Sequence, residues 1–208
     1  MSRGKFITVE GIEGVGKSTN IGALVRHIEA AGHQVLTTRE PGGTPLAEDI
    51  RDILMNRGDE PVPAIAELLL MFAARSFNVE NNIKPALAAG TWVVCDRFTD
   101  STRAYQGGGR GIPLERIDRI ADWVHGDTWP DLTVLLDAPV EVGMDRAGRR
   151  GELDRIEREQ HDFFERVRTC YLDIARREAD RVAVVDTTRP IEAVTTDVIV
   201  LVDELLNE

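Results

Sequence analysis

Phe6-Ile-Thr-Val-Glu-Gly-Ile-Glu-Gly-Val-Gly-Lys-Ser18 is a short apolar run that breaks into glycines and ends on a lysine and a hydroxyl. Within it Gly11 to Ser18 fits the spacing G-x-x-x-x-G-K-[ST], directly after a strand-like stretch and directly before a helical one. In such a loop the glycines let backbone N–H groups turn inward and the helix N-terminus adds partial positive charge. Lys17 then reaches the β- and γ-phosphates and Ser18 supplies a ligand for magnesium. The candidate ATP contacts are therefore Gly11, Ile12, Glu13, Gly14, Val15, Gly16, Lys17, Ser18 and Thr19.

Outward from the loop, short β-rich runs alternate with long helical patterns. Phe6 to Val9, Gln34 to Thr38, Trp92 to Cys95, Leu132 to Leu136 and Val182 to Val185 read as strands, mostly apolar throughout, as in a parallel sheet covered on both faces. Lys17 to Ala31, Pro45 to Met55, Pro63 to Ala89 (broken near Pro85), Pro113 to His125, Val140 to Arg149, Gln160 to Ala179 and Ile191 to Leu206 read as helices. The expected fold is α/β: a three-layer sandwich of the P-loop NTPase type, with a five-stranded parallel sheet flanked by helices. Two segments resist assignment to packing, Arg39 to Thr44 and the glycine-rich Gln106 to Gly111; both fall near strand ends, where ligands of open α/β sheets bind.

The chain of 208 residues suits a single domain spanning residues 1–208. Its formal net charge of -11 argues against nucleic acid and anionic membrane as partners, so any phosphate site must be local. No apolar run is long enough for a signal segment or a membrane span. Cys95 and Cys170 have neither zinc nor disulfide spacing, which suits free thiols and a cytoplasmic location.

Trp92-Val-Val-Cys-Asp96 is an apolar strand ending in a carboxylate, the arrangement that holds magnesium or its waters, so Ser18 and Asp96 are the candidate metal ligands. An Asn-Lys-x-Asp motif for reading guanine is missing, and the chain is small and acidic; small-molecule phosphotransfer fits better than a GTPase or helicase. A kinase acting on a monophosphate needs one cation to fix the acceptor phosphate and another to neutralise the moving charge. Arg97 and Arg150 suit those roles, which with Lys17 makes the candidate catalytic set.

The P-loop, Thr38-Arg-Glu-Pro-Gly-Gly-Thr44, Asp96-Arg-Phe98, Ala104-Tyr-Gln-Gly-Gly-Gly-Arg-Gly111 and Arg150-Gly-Glu-Leu-Asp-Arg155 together resemble the bacterial thymidylate kinases, in order and spacing, over nearly the whole chain. The resemblance implies phosphorylation of dTMP to dTDP with ATP and Mg2+, and a homodimer. The alternatives are a P-loop kinase for another nucleotide or a non-catalytic ATP-binding switch. Glu13 is then expected to bind the acceptor 3′-hydroxyl and Arg97, with Arg39 nearby, to hold its phosphate; Arg51 is a further candidate dTMP contact. Arg75 is expected to bond the base, with Phe72 favoured over Met71 as the residue stacked on it. Ser101, Thr102, Tyr105 and Gln106 complete the dTMP list, Tyr105 sitting where a 2′-hydroxyl would collide. The segment from about 146 to 158 resembles the lid over ATP, and Arg150 is preferred to Arg146, Arg149 and Arg155 as its catalytic arginine. Adenine contacts are placed near Asp186 to Arg189 by position.

Overall fold

The computed structural model describes residues 3–56, 60–149, 155–157 and 159–207. In chain order its elements are β1 (Phe6–Glu10), α1 (Lys17–Ala30), β2 (Val35–Arg39), α2 (Pro45–Asn56), α3 (Ala64–Asn78), α4 (Lys84–Ala88), β3 (Trp92–Asp96), α5 (Thr99–Thr102), α6 (Leu114–Val124), β4 (Leu132–Asp137), α7 (Val140–Gly148), α8 (His161–Arg177), β5 (Val182–Asp186) and α9 (Ile191–Leu206). The strands pair in the order β2-β3-β1-β4-β5, every pairing parallel. β1 is buried at all its residues, which a strand needs when it has neighbours on both edges and helices on both faces. α1 packs on β1, β2 and β3 and against α9, while α8 packs on β4 and β5. This is the expected five-stranded α/β sandwich.

All five strands run one residue past the apolar run that marks them in the sequence, and in each the added residue is charged: Glu10, Arg39, Asp96, Asp137 and Asp186. Ladder hydrogen bonds continue where hydrophobicity stops, so the carboxyl edge of the sheet is ordered backbone carrying ionisable side chains. Val9 lies beside Asp96 and Glu10 beside Leu135, which brings the end of β3 level with the start of the P-loop.

Two expectations are corrected. The long helical pattern does not break at Pro85: α3 runs through a π-helical turn, Val79–Ile83, directly into α4, and Pro85 stands in the first turn of α4. The wide turn falls where the missing N–H of Pro85 and the bulk of its ring would disturb an α-helical ladder. The glycine-rich segment, which resists assignment to packing in the sequence, is a packing element. Arg103–Gly109 is π-helical and lies against α8. A Cβ on Gly108 would sit 2.6 Å from Cys170 Cβ, and one on Gly109 would sit 2.4 Å from the Phe163 ring. These glycines let two helical segments touch, which is a packing role.

Candidate active site

A cavity of about 380 Å3 lies beside the P-loop. Glu13, Gly14, Gly16, Lys17, Ser18 and Thr19 form one wall; Asp96 and Arg97, at the end of β3, form another. Gly14 has φ 75° and a Cβ there would be 2.0 Å from the Gly143 carbonyl oxygen, so the loop is pressed against α7 and only glycine fits. Ile12 and Val15 are buried in the main core cluster, so only the backbone of these two can serve a nucleotide. Lys17 Nζ donates to the carbonyls of Gly11 at 3.1 Å and Ile12 at 2.9 Å. Desolvation, and after it the positive charge of Arg97, lowers its pKa to about 8.

Arg97 holds a left-handed backbone, φ 70°, which a side chain bearing a Cβ adopts only when its surroundings impose it. Its Nη2 donates to Glu13 Oε1 at 2.7 Å, and its Nη1 to the Gly11 carbonyl at 2.9 Å, Ser101 Oγ at 3.2 Å and Tyr171 Oη at 3.3 Å. The Tyr105 hydroxyl donates to Glu13, 2.8 Å from each carboxylate oxygen, and the Arg97 guanidinium lies 4.9 Å from the Tyr105 ring centre. Glu13, Arg97 and Tyr105 thus meet as one cluster in the cavity wall. The ion-pair partner of Arg97 is Glu13.

Arg75 also lines the cavity and is buried. Its Nε donates to Glu40 at 2.6 Å and its Nη2 to Thr102 Oγ1 at 2.9 Å, while its Nη1 is buried with no hydrogen-bond partner among the described residues. Phe72, preferred to Met71 from the sequence, is not in the cavity wall: Met71 lines the cavity, whereas Phe72 packs with Leu68, Ile112, Ile117 and Ala121 in a separate cluster, its ring 4.8 Å from the Arg75 guanidinium. Both residues share a helix face with Arg75, and the position of α6 decides which is enclosed. Ser101, Thr102 and Gln106 line the cavity, and Gln106 Nε2 donates to the buried Glu67 at 2.9 Å.

Arg39 is not brought to the cavity. It is exposed and donates to Glu48 Oε2 at 2.7 Å, while Arg51, which donates to the Pro41 carbonyl at 3.0 Å, stands in the wall. Arg150 lies outside the described residues. Of the other lid arginines, Arg146 lines the cavity and donates to the Thr187 carbonyl at 3.1 Å. Arg149 is exposed and paired with Asp145, and Arg155 Nη2 reaches Glu67 at 2.5 Å. Asp186 caps Thr188, and Arg189 pairs with Asp197, so these groups serve the turn into α9.

Several wall or supporting residues escaped the sequence reading: Glu10, Glu40, Met55, Phe98, Ile156 and Tyr171. Glu10 carried a visible sign, a carboxylate closing an apolar strand, and Glu40 and Phe98 stand just after β2 and β3 inside the motifs already quoted. Met55 and Tyr171 come from α2 and α8, and Ile156 from a turn before α8.

A phosphate cradle on a parallel sheet, opening into one cavity with an arginine-rich wall, defines a P-loop nucleotide kinase. A family profile described as thymidylate kinase matches residues 9–198; the thymidylate kinase of Methylococcus capsulatus is 52% identical over 206 residues (99% of this chain, 98% of that one), and that of Pseudomonas putida 54% over 189 (91% of each). The crystal structure of thymidylate kinase from Ehrlichia chaffeensis matches with a TM-score of 0.81 at 33% identity, covering 96% of this chain and 99% of that one. The chain belongs to the thymidylate kinase family.

Proposed function

We propose that the chain transfers the γ-phosphoryl group of ATP to dTMP, giving dTDP, by direct in-line displacement inside this cavity. The observation that carries this reading is continuity: Lys17 and Ser18 of the cradle and Arg75, Arg97 and Tyr105 of the opposite wall bound the same space. Two anions brought together there are neutralised by fixed cations, so the transfer needs neither a covalent intermediate nor a strong base. Arg97 grips the dTMP phosphate through its fork, Glu13 takes the 3′-hydroxyl, and Tyr105 fills the space a 2′-hydroxyl would need. Arg75 Nη1, which lacks a partner, is left for a carbonyl of the base, with Met71 against the ring.

Asp96 Oδ1 is also buried without a partner, and with the Ser18 hydroxyl on the same cavity it offers the all-oxygen environment that Mg2+ prefers. Held there with ATP, the ion would supply neutralisation of the phosphate charge. Arg150 is the proposed arginine for the moving phosphoryl group, and Arg146 is the described alternative. Alanine variants of the two, compared for kcat, decide between them.

The exposed apolar side chains Leu46 and Ile53 on α2, Ile65 and Leu69 on α3 and Trp123 on α6 support pairing of two copies, with the mass in solution as the check. No helix among the described residues is long and apolar enough to cross a membrane, in keeping with the proposed cytoplasmic location and small-molecule partners.

ADP release measured across the nucleoside monophosphates tests the function. The chain should turn over dTMP in preference to UMP, CMP, AMP and GMP; ATP binding with no acceptor-dependent release would support a switch instead.

A further inference from the structure

Glu10 closes β1 beneath the cavity, and the proposed transfer gives it no part. Its side chain is wholly buried. Oε1 accepts the backbone N–H of Phe98 at 2.7 Å, and Oε2 accepts the hydroxyls of Ser101 at 2.5 Å and Tyr171 at 2.9 Å. Ser101 Oγ and Tyr171 Oη are also two of the oxygens to which Arg97 Nη1 donates.

A buried carboxylate is a costly way to end a strand, and capping one N–H needs one acceptor only. The second oxygen does something that a cap does not. Above about pH 7, where it is ionised, the Glu10 carboxylate can only accept, and a guanidinium can only donate. The two hydroxyls also lie 2.7 Å from each other; whichever of them donates to the other, the chain of protons runs toward Glu10 and leaves a lone pair on each oxygen for Arg97. It also holds the peptide that follows the left-handed Arg97, the one residue other than glycine with positive φ among the described residues.

We propose that Glu10 is a positioning residue for the acceptor phosphate: it sets the hydrogen-bond direction of Ser101 and Tyr171, fixes the peptide after Arg97, and so holds the Arg97 guanidinium where it meets dTMP. This rests on the assignment of Arg97 to the dTMP phosphate.

Glu10→Gln tests it with almost no change of shape. The amide oxygen still caps Phe98, but the NH2 group donates into the hydroxyl lone pairs and reverses their direction. The KM for dTMP should rise on the order of ten- to a hundredfold, as for a lost hydrogen bond to a charged group, with the KM for ATP within about threefold. Tyr171→Phe leaves the cap and Glu10 in place and covers the case in which Glu10→Gln does not fold; it should raise the dTMP KM by about tenfold. The double variant should be less impaired than the product of the singles, because both act through one chain of hydrogen bonds.

Equal rises for ATP and dTMP, a lower Tm with an unchanged dTMP KM, or fully multiplicative effects would overturn the proposal and leave Glu10 as a cap. Arg97→Lys separates this from the underlying reading. A raised dTMP KM in Arg97→Lys with none in Glu10→Gln sinks the Glu10 role alone; an unchanged KM in Arg97→Lys sinks the assignment of Arg97 and the proposal with it.

Discussion

Asp100 and Ser101 are neighbours in α5, yet they belong to two buried charge clusters that differ in one respect. Asp100 accepts Arg181 Nη1 at 2.7 Å and Nη2 at 2.8 Å, Arg103 Nη1 at 3.3 Å and Thr133 Oγ1 at 3.4 Å. Trp129 lies 4.7 Å from the Arg103 guanidinium and 5.4 Å from that of Arg181. Both Asp100 oxygens are paired. Ser101 faces the cluster of Glu10, Glu13, Arg97 and Tyr105, beside which Arg75 Nη1 and Asp96 Oδ1 are buried without partners. A scaffold closes its polar groups on one another, whereas a binding site keeps some open for a ligand that completes them.

The largest expected effect breaks the scaffold side. Arg181→Met leaves the Asp100 carboxylate buried without its fork and should lower stability by about 3–5 kcal/mol, the usual consequence of removing one partner of a buried pair. Denaturant unfolding measures it. Because Arg181 touches no cavity residue, kcat/KM for dTMP should stay within about twofold below the unfolding transition. A large loss of activity in the still-folded variant would show that the two clusters are not separable.

Met71 and Phe72 sharpen the same contrast at adjacent positions. Phe72→Ala empties a buried aromatic site and should cost about 3–5 kcal/mol, with little change in the dTMP KM. Met71→Ala, whose side chain faces the cavity, should cost nearer ~2 kcal/mol and raise the dTMP KM by about tenfold through lost apolar contact with the base. Thermal unfolding with steady-state kinetics separates the two; a KM rise in Phe72→Ala alone would return the base contact to Phe72.

This pair also shows where the sequence stops being informative. The positions of the P-loop, Asp96 and Arg97 were legible because they depend on local geometry: a strand, a turn and the next few residues. The five strands were legible as apolar runs, each except for the charged residue that ends it. Met71 against Phe72 was not legible, because the choice is made by α6, which packs from another part of the chain. Gly107 to Gly109 misled for a related reason: glycine is used both for loops near ligands and for helices in close contact, and only Phe163 and Cys170 across the interface tell them apart. Tyr171 and Glu67 act on Glu10 and Arg155 from distant parts of the chain, with no motif of their own.

His125 Nδ1, also buried without a partner among the described residues, lies outside the cavity wall, so a ligand there does not explain it. His125 Nε2 pairs with Thr99 Oγ1 at 2.9 Å, and its ring lies 5.0 Å from Phe98 and 4.9 Å from Trp129. Burial, and then the positive charge of Arg75, pushes its pKa down from 6.5 to about 3. The unfolded chain therefore takes up a proton that the folded chain refuses, and the stability present above pH 6.5 is lost as pH falls toward the folded value. Glu10 runs the other way. Burial and the charge of Asp100 raise it from 4.5 to about 7, so the folded chain takes its proton first and stability falls as pH rises through that window. Between about pH 4.5 and 6.5 the two slopes oppose, each on the order of 1.4 kcal/mol per pH unit at most, and the net change should be small beside the effects of Arg181→Met and Phe72→Ala. His125→Gln removes one slope while keeping a partner for Thr99. The stability difference between the native chain and this variant should shrink steadily as pH falls from 6.5, measured by denaturant unfolding at a series of pH values. A difference that stays constant with pH would make His125 a packing residue only, and its bare nitrogen a feature with no electrostatic consequence.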